Sequence, residues 1–205
     1  MKDEKDYTRD IAEIRSMMER SSKFMSLTGW AGIMAGIYAL AGAFIAWKVF
    51  RFNPDELHYS SPDSGAGFLN VFLLAGLVLV LAIGTAILDS YLKASKRGEK
   101  AWNALSRRLL LNMSVPLITG GILVLVLISD GLTGLAAPMT LIFYGLALFI
   151  AGNFTFKAVR ILGLVQMTLG LISCCLIEYE LLIWAIGFGL AHIVYGIYMH
   201  YKYER

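Results

Sequence analysis

Six stretches of the chain run for about twenty residues with almost no charge, long enough as helices to cross a hydrocarbon core of about 30 Å. They cover 27–47, 68–88, 109–128, 135–152, 161–177 and 181–199. Backbone polar groups in lipid must be satisfied within the segment, so each stretch is expected to be a helix. The fifth is the shortest, and Arg160 at its edge can reach the headgroups along its own methylene stem. The pattern predicts an all-α polytopic membrane protein with six transmembrane helices in a single bundle, residues 27–205. An amphipathic cytoplasmic helix is expected within residues 1–26.

Composition agrees with that pattern. Of 205 residues, 58% are hydrophobic and only 16% charged, with mean hydropathy +0.65. Soluble domains carry roughly a quarter charged residues. The charges sort by side. The N-terminal segment holds Lys2, Lys5, Arg9, Arg15, Arg20 and Lys23, and the loop after span 2 holds Lys93, Lys96, Arg97, Lys100, Arg107 and Arg108. Lys157, Arg160, Lys202 and Arg205 fall on that same side if every run crosses once, leaving only Lys48 and Arg51 opposite. An excess of Lys and Arg marks the cytoplasmic side. The expected topology is therefore N-in/C-in, in a plasma membrane such as the bacterial inner membrane. Counts of five or seven spans would scatter the basic residues over both faces. The first apolar run is too long for a signal h-region, so it is expected to remain as span 1.

Residues 3–25 place Tyr7, Ile11, Ile14, Met18 and Met25 at helical spacings, with acids at the start and bases at the end. That stripe can pack on the bundle's own cytoplasmic loop, lie among headgroups, or pair with a second copy. It is the expected contact for a homo-oligomer or for a membrane or cytoplasmic protein partner. The basic loop 91–108 is expected to meet anionic lipid. Neither segment offers the folded basic surface or aromatic platform that nucleic acid requires. Cys174 and Cys175 are adjacent and poorly placed to bridge each other, and are expected to be small buried hydrophobes.

The chemistry lies inside the spans. Gly29 and Gly36, Gly163 and Gly170, and Gly189 and Gly196 are each seven residues apart, two helical turns, so each pair lines one face. With Gly32 they are the expected helix-packing positions, since small residues allow close backbone approach where lipid supplies no hydrophobic drive. At the fourth position of these segments stand Gly32, Gln166 and His192. Gln166 and His192 are each thirteen residues from Tyr179 in the turn between spans 5 and 6, and so share a depth. The same count across the turn near Gly131 sets Thr119 level with Tyr144. A midplane polar layer of His192, Gln166, Tyr195, Tyr144 and Thr119 is expected. It can join helices by hydrogen bonds, or hold a small solute, proton or ligand. Pro116 with Gly120 and Gly121 is expected to weaken span 3 at that depth.

No catalytic set is visible. A second intramembrane His for haem, a Lys for a retinal Schiff base, a phosphate loop and a metal-binding His-Glu-x-x-His are all missing from the spans. Ser173 sits about 10 Å from His192 by the hairpin count. No catalytic residue, metal or cofactor is expected. Two classes of function remain: a non-catalytic assembly or regulatory membrane module, and a small transporter or channel using the midplane layer.

Overall fold

The computed structural model describes residues 29–50, 65–96, 102 and 104–204. The amphipathic segment 3–25 and most of the loop between the first two spans lie outside them. Among the described residues the chain is all-helical, with six helical segments long and apolar enough to cross a membrane. Five are single rods or nearly so: α1 (Gly29–Lys48), α2 (Gly65–Lys96), α3 (Ala104–Ser129), α4 (Ala136–Ala151) and α5 (Lys157–Cys175). The sixth is composite. A turn of α-helix, α6 (Glu180–Trp184), runs into a π-helical stretch Ala185–Ala191, then α7 (His192–Met199), then a second π-helical turn His200–Glu204.

Large hydrophobic side chains such as Phe44, Leu79, Val80, Ile118 and Val194 are exposed around the outside. In water that surface would be untenable, and in a multi-pass membrane protein acyl chains cover it. The interior is small by comparison. Its main apolar cluster gathers Leu109, Leu148, Ala151, Val159, Leu162 and Met199, where α3, α4, α5 and α7 converge. The chain packs as two groups: α3, α4 and α5 on one side, α1 with α2 on the other. The sixth span joins them, with α1 on the π stretch and α7, and α4 and α5 against its opposite side. Helix α2 has its main packing on α1 alone, and none of its most apolar stretch is buried.

The close approaches occur at glycines. A Cβ added at Gly36 would stand 2.6 Å from the carbonyl oxygen of Gly189, and one at Gly29 would collide with that of Gly196. Spans 1 and 6 are thus antiparallel with their glycines face to face. Gly163 and Gly170 face α4 instead, at Gly145 and at Pro138 and Ile142. The turn into α4 uses Gly131 at φ 78, a left-handed conformation that favours glycine.

Two expectations fail here. Helix α3 runs unbroken through Pro116, and Gly120 in the next turn packs closely on Phe143 of α4. The irregular span is the sixth. Cys175 is exposed and Cys174 half-buried, because the end of α5 turns that face outward; both are free thiols.

Candidate functional site

Three side chains from three helices meet halfway along spans 4 to 6. His192 opens α7, Gln166 lies on the buried face of α5, and Tyr144 projects from α4. Gln166 is 0% and His192 5% exposed. The buried face of α5 explains why Gln166 points inward. Val159, Leu162, Gly163, Gln166, Gly170 and Ser173 recur at helical spacing and are all buried.

The hydrogen bonds define a tautomer. Gln166 Nε2 donates to the carbonyl oxygen of Gly187 at 2.7 Å, and His192 Nδ1 lies 3.0 Å from the same oxygen. Only a protonated Nδ1 can face a carbonyl without repulsion, so the proton of the neutral imidazole sits there. Nε2 then accepts from the Tyr144 hydroxyl at 3.0 Å. The 3.3 Å separation of Gln166 Nε2 and His192 Nδ1 is a contact between two donors that share one acceptor. Phe188 stacks on the imidazole, with ring centres 5.9 Å apart and planes 11° from parallel, and Tyr144 and Trp184 flank Phe188.

The π-helical stretch makes this geometry available. Its wider turn displaces carbonyls from the regular ladder, and π segments recur where a helix presents backbone to a site. Here the Gly187 carbonyl serves two side chains. Gly187 also leaves room for its neighbours, since a Cβ there would lie 2.6 Å from Leu141 Cδ2 and 2.7 Å from Gln166 Oε1 and would force those side-chain ends to shift. Leu141, fully buried, packs over this point.

The remaining expected members fall elsewhere. Tyr195 lies one turn along α7 with its ring 3.2 Å from the Cβ position of Gly32, beside the apolar cluster. Thr119 is exposed and outside the group. Its depth is as expected, since neighbouring Gly120 packs on Phe143 beside Tyr144. But one residue is about 100° of helix rotation, so Gly120 takes the face toward α4 and turns Thr119 away.

Polar groups that the span pattern did not single out are also buried. Among the described residues Thr133 Oγ1, Ser173 Oγ and Glu180 Oε2 have no hydrogen-bond partner, and the same holds for Oε1 of the expected Gln166. Ser173 was detectable, being seven residues beyond Gln166 on the same face of α5. Glu180 was not, because a carboxylate beside a short turn looks solvated until α4 and α5 close over it. No group of three or more His, Cys, Asp or Glu among the described residues could hold a metal. No protein-family profile, curated protein or solved structure matches the chain.

Proposed function

We propose that this protein is a non-catalytic multi-pass membrane module that acts through assembly, and that the His192 cluster is an internal clasp between spans 4, 5 and 6. The observation that carries this reading is that the cluster spends its hydrogen bonds on itself. Both ring nitrogens of His192 and the Gln166 amide nitrogen are directed at Tyr144 and Gly187, Gln166 Oε1 alone of the cluster's side-chain polar atoms being without a partner, and Leu141 packs beside Gly187. A site kept for a passing solute would leave those groups facing a cavity. The glycine faces of Gly29, Gly32, Gly36, Gly163, Gly170, Gly189 and Gly196 hold the bundle together.

The sided distribution of Lys and Arg supports a plasma membrane location with both ends in the cytoplasm, the basic loop 91–108 against anionic lipid. Residues 3–25 are then the segment offered to a second copy or to another protein. The exposed flank of α2 extends the surface for assembly within the membrane.

One observation favours a second reading, passage or binding of a small solute, proton or ligand at the same cluster. Irregular backbone at membrane depth is typical of lined sites, and the π stretch adjoins His192. The double variant His192→Ala with Gln166→Leu separates the two. A clasp predicts lower thermal stability and abundance, with unchanged flux in reconstituted vesicles and unchanged small-molecule content. Loss of a measurable flux or of a co-purifying ligand, with stability intact, would overturn it in favour of transport.

A further inference from the structure

Three of the orphaned oxygens belong to one layer. The Gln166 to Gly187 hydrogen bond sets the register of the antiparallel pair α5 and span 6, and counting seven residues from each brings Ser173 level with Glu180. Spans 4 and 6 run parallel. Thr140 with Trp184, Leu141 with Gly187 and Tyr144 with His192 are 44, 46 and 48 residues apart, which sets Glu180 beside residues 132–136. The α4 to α5 register agrees, since Gly145 meets Gly163 and Pro138 meets Gly170, so Ser173 falls beside residue 135. Thr133, Ser173 and Glu180 therefore lie at one level, at the end of the bundle away from both described basic ends of spans 5 and 6. Ser173 is 0% and Glu180 1% exposed, and Gly134, next to Thr133, is buried.

A carboxylate so placed has no cation from the described residues. Among the described residues no hydrogen bond reaches Glu180 Oε2, and the hydroxyl oxygens of Ser173 and Thr133 at the same level have no partner either. Burying a bare carboxylate is far costlier than leaving a hydroxyl unpaired. Its position in the first turn of α6 gives it a helix dipole, too weak a partner to offset burial. One positive charge would neutralise the carboxylate and use the hydroxyl lone pairs at once. Hard cations take such oxygen sets, and membrane proteins add carbonyls from helix C-termini, as α5 ends here at Cys175. A divalent ion would leave an uncompensated charge; a proton, which also neutralises the carboxylate, is the competing occupant that the test below separates.

We propose that Glu180, Ser173 and Thr133 form a binding site for one alkali cation at this end of spans 4 to 6. The site lies two turns from the His192 cluster, with Leu141 between them, and does not depend on the role of that cluster. The test is thermal unfolding of the purified full chain in detergent, at fixed pH and ionic strength, with NaCl or KCl replacing choline chloride. Wild type is expected to melt several degrees higher in at least one alkali salt, with a saturable dependence. Glu180→Gln should lose that shift while melting no lower than wild type in choline, and Ser173→Ala should need at least tenfold more salt for half the shift. A wild-type midpoint indifferent to both salts overturns the site, including a midpoint that moves with pH alone, which identifies a proton as the only occupant. Equal shifts in wild type and Glu180→Gln also overturn it. Should Glu180→Gln not fold, Ser173→Ala decides: an unchanged salt midpoint refutes the site and a tenfold weaker one supports it.

Discussion

His192 is the residue on which the interior turns, because its neutral imidazole joins α4 and the π stretch through opposite nitrogens. Replacing Tyr144 by Phe leaves Nε2 a buried lone pair without a donor. Interhelical hydrogen bonds in membranes are worth about 0.6 kcal/mol on average and up to roughly 1.7. Tyr144→Phe is therefore expected to lower stability by about 1 kcal/mol, read as a shifted midpoint in a denaturing-detergent titration. Gly187→Ala is the harsher change. Its methyl would enter the space of Leu141 and Gln166 Oε1, so unfolding at markedly lower detergent is expected. Gly121→Ala is the control, since nothing lies within 4 Å of an added Cβ there. A Gly121→Ala midpoint as low as that of Gly187→Ala would remove the steric explanation.

Between elements, the antiparallel contact of span 1 with span 6 is made of backbone against backbone. Gly36→Val would drive a branched side chain into Gly189 O and Ile193, forcing the two helices apart. Overpacking of a tight contact costs about 1–3 kcal/mol. Cysteines placed at Gly32 and Tyr195, which face each other across this contact, scored by cross-linking before and after the Gly36→Val change, would report whether the spans separate. Undiminished cross-linking with unchanged stability would mean that the glycine contact carries no weight. The seven-residue glycine spacing is visible in the chain as written, and so is the face each pair occupies. Which helix each face meets is not, because spacing describes one helix and pairing describes two. The same limit applies to Thr119 and Gly120, which share a depth but divide inward and outward between them. The π stretch left no local mark either, since the partners that its Gly187 carbonyl meets, Gln166 and His192, are set by how the helices pack.

At the scale of the whole molecule, sidedness makes its own prediction. In the proposed topology, with both ends cytoplasmic, exposed Cys175 would lie at the outer end of α5. In intact cells it should react with a membrane-impermeant maleimide, whereas a cysteine replacing Glu204 should react only after permeabilisation. The reverse pattern would invert the topology and move the Glu180 layer to the cytoplasmic side. The six apolar helices were legible in the sequence because lipid imposes one requirement on each span separately: enough consecutive apolar residues, with the backbone satisfied internally. That requirement is local and one-dimensional, and so is the charge count on which the proposed sidedness rests. The tertiary structure alone decided that α2 rides outside the bundle, that the sixth span is the irregular one, and that Glu180 is sealed from water. Burial of a given side chain depends on which helices close over it, and that is set by the fit between faces distant in sequence rather than by the composition of any one of them.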